Sequence, residues 1–356
     1  MRITVFGTAT SGHHLVTSIL NDMLQNAGID FSIQEESNVS IFVEKGIKSV
    51  PAIQINDEAI YCLKSNGSFS SSLREFVNEL LKKNNYGNMP VVLIPIDFSN
   101  TSINAFSYGH RMSTDIGAIT KALHVFKPKY EESKVTSFDK IIEKEKVVLN
   151  KFVEKMNVDW GSDILKAALI DQEFEIGFPA EKIIECAQDK NTQLIVMGST
   201  GISNSLKNWF GSVSTEIIYK ANCPVLLIPS KAKYKGIKKV LIAYDNLSLD
   251  KNCIGQLIDF CQYTNAQLNL LHVGSSLDID DGIKQSLTHQ LQKENVFFHY
   301  IDSKDIVGTI SQFSIANNMD IIVTRSTKRS ILEALLHTSI SKKLVAFSTI
   351  PILVLR

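Results

Sequence analysis

Short apolar runs, each closed by a polar or turn-forming residue, alternate along this chain with longer stretches whose apolar positions recur every three or four residues. The first pattern is what a strand buried on both faces requires, and the second reads as amphipathic helix. The front of the chain predicts strand Ile3–Phe6, helix His13–Ala27, strand Phe31–Gln34, helix Val39–Lys45, strands Ala52–Ile55 and Ile60–Leu63, and helix Ser71–Lys83. A polar, turn-rich stretch, Asn84–Pro90, then reads as a linker.

Beyond it the pattern repeats. Val91–Asp97 (VVLIPID) matches Lys239–Asp245 (KVLIAYD), and Leu123-His-Val125 matches Leu271-His-Val273, with 27 residues from the Asp to the His in both. Leu194–Thr200 (LIVMGST) matches Ile321–Thr327 (IIVTRST), and Cys223–Pro229 matches Ile350–Arg356, with 24 residues from Thr to Pro in both. Four landmarks in one order at near-fixed spacing mark an internal duplication. The first copy is 21 residues longer between its second and third landmarks, which we assign to the charged stretch around Lys127–Lys155.

Each copy reads as a strand ending in Asp and a helix (Ser102–Ser113 or Asp250–Thr264), then a strand ending in His-Val and a long helix. A third strand, a helix, a fourth strand and a last helix lead to a fifth strand after Pro224 or Pro351. Strands alternating with helices predict an α/β fold with a parallel sheet covered on both faces. The expected organisation is three domains, 1–88, 89–232 and 236–356, with the short basic stretch Lys231–Gly236 joining the last two. Val225–Ile228 and Ile352–Leu355 are apolar last strands that would be hazardous as exposed edges. They are expected to pair within the chain as an internal pseudo-dimer, which leaves room for further dimerisation of whole chains.

Composition narrows the function classes. With 37 basic and 37 acidic residues the chain has no net charge, which argues against a general nucleic-acid or anionic-membrane binder. No apolar run approaches the roughly 18 residues of a membrane span. Five cysteines with no Cys-x-x-Cys pair exclude a disulfide scaffold and the usual zinc knuckles, and point to thiols in a reducing cytoplasm. The adjacent His13 and His14 lack a Cys or carboxylate close by in sequence, so helix-start or surface roles are expected and no metal ligand is assigned.

The chemical signal lies at the end of the first copy's fourth strand: Met197-Gly198-Ser-Thr-Gly201, nine residues, then Gly211-Ser212-Val213-Ser214. Gly198 and Gly201 permit backbone conformations and close approaches that a Cβ forbids. Gly211-Ser212 opens a helix whose free N–H groups and dipole suit a phosphate, with the Ser212 and Ser214 hydroxyls as further donors. Asp97, at the carboxyl end of the first strand, lies where ligands of open α/β sheets sit.

This Gly-x-x-Gly-x9-Gly-Ser pattern, set between Leu-Ile-Val-Met and Cys-Pro-Val-Leu-Leu-Ile-Pro, resembles the universal stress protein family, as does the opening Val-Leu-Ile-Pro-Ile-Asp-Phe-Ser. The resemblance implies two tandem five-stranded, Rossmann-like domains of the adenine nucleotide alpha hydrolase type. It implies ATP, AMP or ADP as ligand of the first, with Mg2+ as an optional companion. Pro95, Ile96, Asp97 and Val125 would lie near the adenosine. Met197, Gly198, Ser199 and Gly201 would hold the ribose and nearer phosphate, and Gly211, Ser212, Val213 and Ser214 the phosphate chain. Thr200 departs from the basic or ring residue frequent in the family. In the second copy Arg325, Lys328 and Thr338 replace the three glycines, while Ser339 and Ser341 persist. That loop reads as degenerate, although Arg325, Lys328, Arg329, Lys342 and Lys343 leave open a different anion, and Asp245 leaves open adenosine-end contacts.

The front domain resembles the thioredoxin/glutaredoxin fold through Gly46–Asp57 (GIKSVPAIQIND), where the family's Val-Pro peptide is cis. Thr8–His14 occupies the place of that family's Cys-x-x-Cys, so a redox-silent docking or architectural module is expected, with Cys62 as a small buried apolar residue. The chain carries no Walker loop, Gly-x-Ser-x-Gly elbow or His-Glu-x-x-His, so no catalytic residue is assigned and weak ATP hydrolysis stays open. A cytoplasmic stress-response protein that binds an adenine nucleotide is the leading reading. An interaction scaffold without nucleotide is the alternative.

Overall fold

The computed structural model describes residues 1–8, 12–26, 29–63, 89–128, 138–159, 170–199, 212–244, 251–274, 295–325 and 349–356, and scattered residues at 73–80, 285 and 289. Its described strands form two sheets.

The first sheet has order β2-β1-β3-β4, from β1 (Arg2–Phe6), β2 (Ser32–Glu36), β3 (Ala52–Ile55) and β4 (Ile60–Cys62). β1 runs parallel to β2 and antiparallel to β3. Helix α1 (His13–Asn26) lies on one face, where Ile3 and Val5 pack with Val16, Ile19, Leu20 and Leu24. Helix α2 (Val39–Glu44) covers the other, where Phe6 meets Phe42 edge-on at 6.0 Å. The apolar run of β1 is thus explained by burial on both sides. β2 starts one residue later and ends two residues later than expected, at Ser32–Glu36, because an outer strand exposed on one side accommodates Glu35 and Glu36. Cys62 is exposed on the outer strand β4 and not the buried residue expected. The Val50–Pro51 peptide is cis. Leu73, Phe76, Val77 and Leu80 are helical and pack in the cluster that also holds Met89, Val91 and Ile119, so this sheet's core continues into the next domain. The linker expected at Asn84–Pro90 lies largely outside the described residues.

The second sheet has ten strands and both copies of the repeat. The first copy runs β5 (Val91–Pro95), α3 (Asn100–Asp115), β6 (Ile119–Phe126), α4 (Phe138–Asp159), β7 (Ile170–Ile176), α5 (Pro179–Cys186), β8 (Thr192–Ser199), α6 (Ser212–Lys220) and β9 (Val225–Pro229). The second shows β10 (Lys239–Ala243), α7 (Lys251–Thr264), β11 (Gln267–Val273), β12 (Val296–Ile301), α8 (Ile306–Ala316), β13 (Ile321–Arg325) and β14 (Ile352–Leu355). The order β12-β11-β10-β13-β14-β9-β8-β5-β6-β7 places the two last strands side by side at the centre. They pair antiparallel, Ile352 with Leu227, Leu353 with Leu226 and Val354 with Val225, while every other pairing in the sheet is parallel. Within each copy the order is third, second, first, fourth, fifth.

Helices cover both faces, and each face has one apolar core running through both copies. One joins Val92, Ile94 and Val196 to Val240, Ile242 and Leu353; the other joins Leu93, Met197 and Leu227 to Leu241, Ile322 and Val354. At about 1.5–3 kcal/mol for each fully buried aliphatic side chain, these shared cores make the halves one body energetically. The stretch expected as a linker is also pinned. Asn104 Nδ2 donates to the oxygens of Pro229 and Ala232, both at 3.1 Å, and the Tyr234 hydroxyl donates to Asp115 Oδ2 at 2.6 Å.

Local chemistry repeats with the fold. Gly117 and Asn265, 148 residues apart, both adopt left-handed φ (66° and 51°) just after α3 and α7. The next N–H of each, from Ala118 and Ala266, bonds back to Ser113 O at 2.8 Å and Cys261 O at 3.0 Å, the usual closure of a helix by Gly or Asn.

Candidate functional site

Because β5, β6, β8 and β9 are parallel, their carboxyl ends share one edge, and α6, which returns the chain from β8 to β9, begins at that edge. Asp97, Val125, Met197, Gly198, Ser199 and Ser212 are therefore brought to one side of the first copy. Gly201 and Gly211 lie outside the described residues.

The turn after β5 is built by a relay of short polar groups. Asp97 Oδ1 accepts from the Ser99 N–H at 3.0 Å and the Ser99 hydroxyl at 2.6 Å. Ser99 caps α3, its Oγ accepting from Ser102 N at 3.2 Å. Partial burial works against the Asp97 carboxylate, but bonds from the Ser99 and Ser102 hydroxyls and the Ser99 N–H outweigh it and hold the carboxyl below its ordinary range. An ionised Asp97 therefore faces the edge. Between these two residues Phe98 adopts φ 60°, uncommon for a bulky side chain, with its ring 4.7 Å from His124 and 5.8 Å from Phe152.

Ile96 is buried and held on both sides: its N–H donates to Leu123 O at 2.8 Å, and its oxygen accepts from His124 Nδ1 at 2.7 Å. Pro95 ends β5 opposite Leu123, and Val125 packs against the core that holds Met197. Gly198 has a reason inside the fold. A Cβ there would lie 2.7 Å from Thr101 O and 2.8 Å from Thr101 C, so a bare backbone is what lets β8 meet the first turn of α3. The close approach expected of this glycine is thus made to the protein's own chain. Ser199 is buried opposite Pro229, Ser212 is exposed at the start of α6, Val213 is half-buried and Ser214 is buried.

In the second copy Arg325 ends β13 at the position of Gly198, paired with Leu355. Asp245, Lys328, Thr338, Ser339 and Ser341 lie outside the described residues. The turn nevertheless repeats, because His272 Nδ1 lies 3.2 Å from Tyr244 O.

Two features were not legible from spacing alone. His124, which in sequence is only a repeated His-Val landmark, fixes the Ile96 turn. In the first sheet, the parallel pairing of β1 with β2 brings Glu35 to the start of α1, with its Oε2 2.7 Å from His14 Nδ1 and 3.5 Å from His13 Nε2. The two histidines thus have the carboxylate that their immediate sequence lacks. Among the described thiols, partial burial pushes half-buried Cys186 up to about 12, helped by Glu173 and Glu175, and burial also raises Cys223 to about 11 and Cys261 to about 12. Protonated thiols of this kind are poor nucleophiles. Among the described residues, no helix is long and apolar enough to cross a membrane.

The model of the universal stress protein family matches residues 89–229 and 236–356. A universal stress protein of Methanocaldococcus jannaschii, MJ0531, is 28% identical over 167 residues, covering 46% of this chain and 95% of its own length. A second from that organism, MJ0577, is 28% identical over 155 residues, covering 39% of this chain and 94% of its own length. The crystal structure of a universal stress protein from Archaeoglobus fulgidus superposes with a TM-score of 0.54 at 21% identity, over 75% of this chain and 96% of that one, and so shares the fold. Both copies of the repeat, most of the chain, are covered by the family match, and the protein belongs to the universal stress protein family.

Proposed function

We propose that the first stress domain binds an adenine nucleotide, ATP with AMP or ADP as alternatives, and that the protein is a regulatory binding protein of the cytoplasm. The observation that carries this reading is the shared carboxyl edge. The ionised Asp97, the half-buried Val125, the β8 end at Met197–Ser199 and the α6 start at Ser212 all lie there, and in sequence the last two flank the stretch with Gly201 and Gly211. A helix start beside glycines accommodates a phosphate chain without a lysine, and a carboxylate suits ribose hydroxyls. Pro95 and Ile96 would border the adenosine, Gly198, Ser199 and Gly201 the ribose and first phosphate, and Gly211, Ser212, Val213 and Ser214 the remaining phosphates, with Mg2+ if ATP carries it. The second domain, with Arg325 and Lys328 in place of glycines, binds no nucleotide. Residues 1–88 form a thioredoxin-like module without its thiol pair and serve docking or architecture.

The test is to extract small molecules from the purified protein and to measure ATP affinity for the parent and for Gly211→Lys. The reading requires binding by the parent and a loss of roughly tenfold or more in the variant, about 1.4 kcal/mol. Arg325→Gly with Lys328→Gly should leave affinity unchanged. A parent that ignores adenine nucleotides at millimolar concentration sinks the reading. It would leave the nucleotide-free scaffold, which the packing of Gly198 on Thr101 favours, since that glycine then needs no ligand to explain it.

A further inference from the structure

His13 is buried at the start of α1, and its Nδ1 lies 2.9 Å from Thr8 O. A carbonyl only accepts, so Nδ1 carries the proton and Nε2 is the nitrogen aimed at Glu35, 3.5 Å from Oε2. The exposed His14 turns Nδ1 to the same oxygen at 2.7 Å, and the two rings lie 3.9 Å apart at 38°. One donor atom from each of the three side chains falls within 4.8 Å of the others. Two nitrogens and an oxygen bound to one ion at about 2.0–2.2 Å would sit roughly 3.4 Å apart, so small side-chain rotations that exchange the short His14–Glu35 contact for coordination suffice.

We propose that His13 Nε2, His14 Nδ1 and a Glu35 carboxylate oxygen form a binding site for a divalent first-row transition ion of the zinc class, with water completing the shell on the exposed His14 side. Two imidazoles with one carboxylate suit zinc, nickel or copper, whereas magnesium and calcium take oxygen donors. The outer shell is the kind that orients metal ligands: Thr8 O holds the His13 ring through its other nitrogen, and the Thr17 side chain hydrogen-bonds Glu35. Sequence distance hid the set. Glu35 follows the histidines by more than twenty residues and arrives only through the β1–β2 register, Val5 opposite Glu35. The site is independent of the nucleotide reading.

The experiment uses the full chain, stripped with chelator and free of nucleotide, in a Cys62→Ser background so that the exposed thiol of β4 does not capture metal. Zinc is titrated by calorimetry and by competition with a chromogenic chelator, and Co2+ serves as the spectroscopic probe. One zinc per chain is expected, with magnesium unable to displace it, and zinc should raise the thermal midpoint by mass action. His14→Ala, at an exposed position, and Glu35→Gln, which keeps shape, should each lose tenfold or more in zinc affinity and the midpoint shift, with metal-free folding intact by circular dichroism. A background protein that takes up no zinc, or variants that bind it as tightly, would overturn the proposal.

Discussion

His124 donates its Nδ1 proton to the main-chain oxygen of Ile96 across 2.7 Å, and 148 residues later His272 reaches Tyr244 in the same way at 3.2 Å. Both rings are buried. Each ties the end of a copy's second strand to the turn leaving its first strand. Replacing either by Leu leaves a buried carbonyl without its donor, which costs about 1–3 kcal/mol. Urea unfolding should therefore show similar losses for His124→Leu and His272→Leu. Nucleotide affinity separates them: only the His124 variant should lose it, because only that turn leads to Asp97. Equal effects on affinity would mean that the copies do not differ as proposed.

Two glycines predict opposite signs. Gly198→Ala drives a Cβ into the Thr101 main chain, which has no flexible end to yield, and should destabilise by about 1–3 kcal/mol. Gly255, inside α7, has nothing within 4 Å of an added Cβ, and Ala there should stabilise by about 0.5–1 kcal/mol through helix propensity. Denaturant midpoints of the two variants check both signs at once.

His299 gives a pH test. Burial lowers its pKa from the ordinary 6.5, with Nε2 2.9 Å from Asn269 Oδ1 and the ring 4.8 Å from Phe313. As pH falls through 6.5, the unfolded chain takes up this proton before the folded one does. Stability therefore rises with pH between the lowered value and 6.5, and the contribution is complete above 6.5. His299→Gln should flatten that window. Unfolding free energies of parent and variant, measured from about pH 7.5 down to about pH 5, should converge as the pH drops, and parallel curves would show that the residue does not titrate this way.

The duplication, the strand ends and the central pairing were legible in the sequence for one reason. A strand buried on both faces must be apolar throughout, so Val225–Ile228 and Ile352–Leu355 announce both themselves and their need for a neighbour. Local pattern does not reveal a residue whose surroundings come from elsewhere in the chain. Spacing marks Gly198 as a glycine but does not reveal that Thr101 lies where its Cβ would be. Cys62 reads as apolar because nothing in its neighbours reveals that β4 is an outer strand. Phe98 in a left-handed turn and Glu35 across from two histidines depend on geometry and register that local pattern does not encode.

The antiparallel contact of β9 with β14 joins two parts of a single polypeptide. An assembly of separate subunits dissociates on dilution and exchanges its members, but here the ratio of the halves stays at one to one at any concentration. Each half can therefore accumulate changes that its counterpart does not share, as at Gly198 and Arg325, without those changes being copied to both sides of the junction. Duplication within one chain thus permits a division of labour that a symmetric pair of identical subunits cannot reach.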